Sequence, residues 1–318
     1  MTDSPENSTA DNGNIDLSVI VVTRVDQAQL DRCLEALTKQ ETTASFEVII
    51  PADESLGDVN AMIMRYRCWE FVRTHGTQTH AQLRSLGVHH ARGRLVATTE
   101  DHCLPEANWV QAIVDEHANA PVAIGGVVEK VPPDDALNWA VYFHDYLRYM
   151  PPAEAGETHE LSALNASYKM SALREVAGSW QREFHEADVH GALEAHGGTL
   201  WLSPNIMVKQ RRNLEIEHAL WERYAFGRLF ASTRTGTAAP GRCLLYAALS
   251  PIQPVLLLAR LGGHIRRKQH HRMEFFMALP ATLLLATAWA FGEFMGYVTR
   301  KPDPRLEPQP DPEPWPDP

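Results

Sequence analysis

Residues 17–22, LSVIVV, form an unbroken apolar and largely β-branched run, the pattern of a strand covered on both faces. Leu30, Cys33, Leu34 and Leu37 then recur at helical spacing, and FEVII at residues 46–50 returns to strand character. Together these segments predict one βαβ unit. The alternation continues with a helix over 59–66, a strand over 69–73, a helix over 78–91 and a strand over 95–99. A helix carrying Trp109, Ile113 and Val114 follows, then a strand over 122–128 whose Gly125-Gly126 pair lets backbone or ligand approach closely. A short helix over 186–196 stops at Gly197-Gly198, and a last strand over 199–202 precedes a basic turn at 209–212. Strands alternating with helices of this length predict an α/β fold on an open, mostly parallel, doubly wound sheet.

Two segments depart from the alternation. Trp139, Tyr142, Phe143, Tyr146 and Tyr149 crowd the stretch between Pro132-Pro133 and Pro151-Pro152. They predict a helix packing an aromatic stripe on the core, with an aromatic wall for an acceptor as the other reading. Residues 243–262 and 275–298 are apolar over a length that can cross a bilayer, for which about 20 residues suffice. Pro251, Pro254, Pro280 and Glu293 interrupt them, and Arg266, Arg267, Lys268 and Arg272 lie between them. Two full spans below a cytosolic domain would leave that basic connection outside, against the positive-inside tendency. Two kinked, partly inserted helices with the basic turn on anionic head groups are therefore expected, a soluble helical hairpin being the alternative. The domain plan is an arm over 1–16, a catalytic domain over 17–234, a hydrophobic helical region over 235–300 and a disordered proline- and acid-rich tail over 301–318.

Composition narrows the partners. With 40 acidic against 29 basic residues and a formal charge of −11, the 318-residue chain lacks the basic field that phosphate backbones require, so nucleic acid is not an expected partner. Cys33, Cys68, Cys103 and Cys243 form no C-x-x-C pair, which fits a reducing, cytosol-facing compartment. Residues 1–16 have neither a cationic start nor an apolar stretch, so no cleavable secretory signal is expected.

Ligands of doubly wound sheets collect at the carboxyl ends of the strands. There this chain is polar: Thr23-Arg24 after the first strand, Asp53-Glu54-Ser55 after the second, and Thr99-Glu100-Asp101-His102 after the strand at 95. An acid after the second strand can accept from ribose hydroxyls or a base edge, and Thr23 and Arg24 can approach a nucleotide. Glu100, Asp101 and His102 can hold a divalent cation against a diphosphate, with the imidazole favouring Mn2+ over Mg2+.

Residues 17–234 as a whole resemble family-2 glycosyltransferases of the GT-A fold. LSVIVVTR (17–24) is similar to the family's first strand, and EVIIPADES (47–55) to its second, with Asp53 as the nucleotide-contacting acid and Glu54 beside it. AQLRSLGVHHARGRLVATTEDHCLP (81–105) resembles the stretch from an arginine-bearing helix to the aspartate-x-aspartate metal motif. On this likeness Arg84 faces the nucleotide-sugar, and Glu100 and His102 take the two motif positions. Ser85 replaces the usual asparagine. NASYKM (165–170) resembles the acceptor-side segment, which implicates Asn165 and Ser167. HEAD (185–188) resembles the later acidic motif holding the catalytic base; its acids are separated by Ala187, and Asp188 is favoured over Glu186. QRRNL (210–214) fails the Q-x-x-R-W pattern of processive synthases.

The resemblance implies a membrane-attached, inverting enzyme with its catalytic domain facing the cytoplasm. It would move a sugar from a nucleotide-diphospho-sugar donor to a hydroxyl of a lipid or glycan acceptor with Mn2+ or Mg2+ as cofactor. A membrane-tethered binding or scaffold protein and a nucleotidyltransferase are the alternatives.

Overall fold

The first apolar run becomes the middle of a sheet because nothing along it is polar enough to demand water: all six residues of β1 (Leu17–Val22) are buried. The computed structural model describes residues 15–23, 26–118, 121–212, 214–235 and 240–303. After β1 come α1 (Gln27–Thr38), β2 (Phe46–Ala52), α2 (Asn60–Arg65), β3 (Glu70–Arg73), α3 (His80–His90), β4 (Leu95–Glu100), β5 (Cys103–Pro105), α4 (Trp109–Glu116) and β6 (Ala123–Lys130). The second half holds α5 (Ala136–Tyr146), β7 (Gly156–Thr158), β8 (Ala166–Lys169), α6 (Met170–Glu175), α7 (Glu186–Ala195), β9 (Leu200–Gln210), α8 (Ile216–Thr235), α9 (Pro240–Leu249), α10 (Gln253–Lys268) and α11 (Arg272–Thr299). The expected arm and tail fall largely outside the described residues.

The nine strands form one sheet in the order β3-β2-β1-β4-β8-β6-β9-β5, with β7 on β9. The expected α/β architecture is present. Only β1–β2, β1–β4, β2–β3 and β6–β9 pair in parallel, however, while β8 runs antiparallel to β4 and β6, and β5 and β7 antiparallel to β9. The sheet is therefore mixed, because a strand's direction is set by its connections and leaves no mark on its own pattern. α3 is fixed at its start by a capping box between Thr79 and Gln82. It lies close on β1 through Gly87, where a Cβ would stand 2.5 Å from Ile20 Cγ2.

The last strand is longer than its apolar core. β9 continues through Pro204 and Asn205 to Gln210, and its pairing with β6 shifts register between Gly126 and Val127. A Cβ on Gly126 would collide with the Ile206 carbonyl and the Asn165 amide, so the glycine serves backbone approach and not a ligand. The aromatic stripe is core: Trp139, Tyr142 and Phe143 on α5 are buried, and the Tyr142 hydroxyl donates to the Val128 carbonyl at 2.7 Å.

α11 is the spine of the C-terminal region. Its first half packs on α5, with Phe275 against Phe143 (ring centroids 5.5 Å apart) and His271 against Trp139 (4.6 Å). Its second half packs on α8 through glycines. Cβ atoms on Gly227, Gly292 and Gly296 would strike the backbone carbonyls of Trp289, Tyr224 and Arg228, so the two helices meet backbone to backbone. Pro280 lies inside an unbroken helix. A 3-10 turn at Ser250–Ile252 separates α9 from α10. Leu244, Val255, Leu256, Met273, Phe276, Phe291 and Val298 are each more than half exposed along this region.

Candidate active site

The three polar segments singled out after strands in the sequence arrive at the same sheet edge. Val22 is in register with Glu100, so Thr23 and the Asp101-His102 turn leave adjacent strand ends together. Asp53 follows the end of β2 one strand away. This is the carboxyl edge of the parallel half, where the chain must turn and backbone groups remain free for ligands.

A buried charge cluster occupies its centre. Arg84 of α3 lies between two carboxylates: its Nη2 donates to Glu100 Oε1 at 2.7 Å, and its Nη1 is 2.6 Å from Glu186 Oε1 on α7. Side-chain exposure is 9% for Arg84 and 14% for Glu100, so these charges interact with little screening. Burial opposes ionisation of Glu100, but His80, Arg84 and His102 together outweigh it and bring its carboxyl down to about 2. Burial likewise works against the guanidinium, and Glu186 and Glu100 hold it charged. Arg84 Nε and Glu186 Oε1 keep no aligned hydrogen bond. The cluster is tightly charged and incompletely satisfied.

The expected metal ligands separate into two kinds. Glu100 is committed to Arg84. Asp101 accepts from the Thr23 hydroxyl at 2.8 Å through Oδ2, and its Oδ1 lies 3.5 Å from His102 Nδ1. His102 is buried, its Nδ1 also lies 3.6 Å from Glu100 Oε2, and its Nε2 has no partner. An imidazole with carboxylates on one nitrogen and an unsatisfied second nitrogen has the orientation of a metal ligand. Among the described residues no three His, Cys, Asp or Glu side chains form a ready cage. Of the expected ligands, Asp101 and His102 are the ones whose donor atoms are not taken up by Arg84.

The other expected residues are distributed unevenly. Asp53 is fully buried, accepting from the Ser55 backbone at 2.9 Å and the Gln78 backbone at 2.7 Å, and so ties the loop before α3 to β2. Glu54 is exposed and lies 3.2 Å from His75. Arg24 is outside the described residues. Asn165 and Ser167, expected on the acceptor side, do different work. Asn165 accepts from Trp109 Nε1 (2.8 Å) and donates to the Val127 (2.8 Å) and Ile206 (3.1 Å) carbonyls, while Ser167 donates to the Ile124 carbonyl (3.0 Å). Both are 1% exposed, with their polar atoms spent on joining strands. Asp188 sits on the outer face of α7, whereas Glu186, His190 and Leu193 share its inward face.

Several residues near this edge were not assigned to it from the sequence. Asp145 and Tyr146, at the end of α5, face Arg223 of α8, which grips Asp145 with two bonds of 2.8 and 2.6 Å. Arg212 is held charged by Tyr146, Glu222, Asp145 and Glu100 against the opposing effect of burial. The basic character of 209–212 was visible in the sequence, but the antiparallel pairing that returns it to His102 was not: Cys103 faces Gln210, and the Arg211 N–H donates to the His102 carbonyl at 2.8 Å.

The chain matches the family described as glycosyl transferase family 2 over residues 18–177. No curated protein matches it. Among solved structures it is similar to GalNAc-T7, crystallised with UDP, GalNAc and Mn2+, at 15% identity and a TM-score of 0.50. That likeness covers 64% of this chain and 45% of the other, so the chain spans less than half of its neighbour's length and the match speaks to the fold alone. With half of its length inside the family match, and with the acids and arginine of that stretch gathered at one sheet edge, the chain belongs to glycosyl transferase family 2.

Proposed function

We propose that this glycosyltransferase inverts the anomeric centre in a single displacement at the edge formed by Thr23, Arg84, Glu100, Asp101, His102 and Glu186. The observation carrying the reading is Arg84, which joins the carboxylate at the end of β4 to that at the start of α7 in one buried cluster. An acceptor hydroxyl there gives its proton to a carboxylate while its oxygen attacks the anomeric carbon, and the nucleoside diphosphate leaves from the opposite face. Of the two candidate bases we favour Glu186, because it faces the cluster while Asp188 faces solvent. Asp101 and His102 would hold Mn2+ or Mg2+, which when bound supplies Lewis-acid stabilisation of the departing diphosphate. Thr23 orients Asp101, and Asp53 shapes the nucleotide side by fixing the loop at Gln78. The Mn2+ in the GalNAc-T7 structure is consistent with this use of a cation.

Turnover and donor affinity of Glu186→Gln and Asp188→Asn provide the test. Loss of the base costs about 10²–10⁴ in rate with donor binding retained. A normal rate in Glu186→Gln beside an inactive Asp188→Asn would return the role to Asp188. Equal nucleotide-sugar affinity with Mn2+ and with chelator would remove the metal from the reading. Release of pyrophosphate in place of a nucleoside diphosphate would make the protein a nucleotidyltransferase.

Membrane attachment belongs to the same proposal. Two helical stretches of 28 residues, Gly241–Lys268 and Arg272–Thr299, are long and apolar enough to cross a bilayer by length and composition. Their connection lies against the catalytic domain: Lys268 Nζ donates to the Met150 (2.5 Å) and Pro152 (2.8 Å) carbonyls. Lys268 is thus a fastening to the domain more than a head-group contact, while Arg266, Arg267 and Arg272 stay exposed. For partly inserted helices the basic turn shares the domain's side of the membrane, and a cytosolic domain then agrees with the positive-inside tendency. The acceptor, lipid or glycan, would be met at that surface. Labelling of single cysteines placed at 270 and in the catalytic domain checks this: protection on opposite sides of sealed vesicles would overturn it.

A further inference from the structure

A chain with a formal charge of −11 concentrates cations in one stretch away from the catalytic edge. Residues 260–272 hold Arg260, Arg266, Arg267, Lys268 and Arg272 and no acid. α10 buries Pro254, Leu261 and Ile265, and helical spacing sets Leu256, Arg260, His264 and Arg267 in a row along one flank of that buried face. Arg260 and Arg267 are exposed and His264 is half-buried. Among the described residues neither arginine has a carboxylate partner. Glu274, the next acid along the chain, is turned to His271 at 3.5 Å.

The segment after α5 forms a second wall for this row. The charges acting on His264 are Arg267, Arg260, Lys268 and Arg148, all of them positive. Lys268 crosses to that segment and donates to the Met150 (2.5 Å) and Pro152 (2.8 Å) carbonyls, which bring no negative charge. Arg148 pairs with Glu160, but the two side chains are 45% and 65% exposed, so water weakens that pair and it can yield to another anion. The catalytic domain and α10 thus enclose a group of like charges whose mutual repulsion an anion would relieve.

We infer that this row is a binding site for an anionic phospholipid, with the headgroup phosphate between Arg260, Arg267 and Arg148 and an acyl chain along Leu256. The inference rests on the membrane attachment read for residues 241–299. Guanidinium groups match phosphate oxygens with paired, charge-assisted bonds. A lipid is the occupant, and not a soluble phosphate, because the cationic row runs on into Leu256, which is 59% exposed beside Val255 at 65%. A zwitterionic headgroup would bring its own cation and leave the cluster uncompensated. Arg148 stands just beyond Asp145 and Tyr146 in the chain, so a bound headgroup would hold the domain to the bilayer close to its catalytic edge.

The test uses the full chain in detergent, with its unfolding temperature followed by tryptophan fluorescence as dioleoyl-phosphatidylglycerol is added to the micelles. Saturable stabilisation is expected with this lipid, and none with dioleoyl-phosphatidylcholine or with glycerol phosphate. Each basic residue at an anionic surface changes affinity about fivefold. Arg260→Gln combined with Arg267→Gln should therefore raise the half-saturating lipid content about tenfold or more, and Arg148→Gln about fivefold. Arg242→Gln combined with Arg266→Gln removes as much charge from outside the row and should shift it less than about threefold. Equal stabilisation by the two lipids, equal shifts in the two double variants, or the same effect from glycerol phosphate would each overturn the inference. Recovery of the wild type from cells in a detergent-free soluble fraction would instead overturn the membrane reading on which it rests.

Discussion

Replacing Arg84 by methionine keeps most of its volume and removes the charge that holds Glu100 and Glu186 together. In the wild type the Glu100 carboxyl sits at about 2 against an ordinary 4.5, although burial alone would raise it. At about 1.4 kcal/mol for each tenfold change in proton affinity, this ionisation contributes about 3 kcal/mol to folding at neutral pH. Arg84 supplies a share of that and also screens Glu186, and breaking a buried pair by removing one partner typically costs about 3–5 kcal/mol. Denaturant unfolding of the full chain in detergent, followed by tryptophan fluorescence, should show a loss in that range at pH 7. The folded-state pKa of Glu100 is depressed, so its contribution is complete above the unfolded value of 4.5 and disappears as pH falls toward 2. The deficit of Arg84→Met should therefore shrink to less than about half by pH 3. A loss under about 1 kcal/mol at pH 7, or the same loss at both pH values, would refute the account of a buried, charge-coupled cluster.

Asn165→Ala removes three hydrogen bonds from the junction of α4, β6 and β9 and should cost about 2–4 kcal/mol by the same assay; unchanged stability with a raised acceptor KM would restore it to the acceptor side. Gly292→Leu drives a side chain into the Tyr224 carbonyl and should lower stability by about 1–3 kcal/mol or more, whereas Gly241→Leu, with nothing within 4 Å, should leave the melting temperature near the wild-type value. Asp145→Ala strips the two-bond partner from Arg223, and a loss of about 3 kcal/mol should appear as earlier proteolysis between α5 and α8.

The sequence by itself determined the elements whose surroundings are uniform. LSVIVV has the pattern of a strand covered on both faces, the helical stretch over 78–91 holds α3, and the polar residues after β1, β2 and β4 must share an edge once those strands are parallel neighbours. Local pattern carries that information because it reflects what each face of an element touches. Tertiary structure decided the rest. Strand direction follows from connections, so a run of apolar residues could not disclose that β8 is antiparallel between β4 and β6. The bonds of Asn165 to the Val127 and Ile206 carbonyls exist only because β6 and β9 surround it, and only the turn of α7 separates Glu186, facing inward, from Asp188, facing water. Glu100 and Arg84 are 16 residues apart and Arg212 is far beyond both; their charges meet because helix packing and a cross-strand register close distances that no short-range spacing encodes.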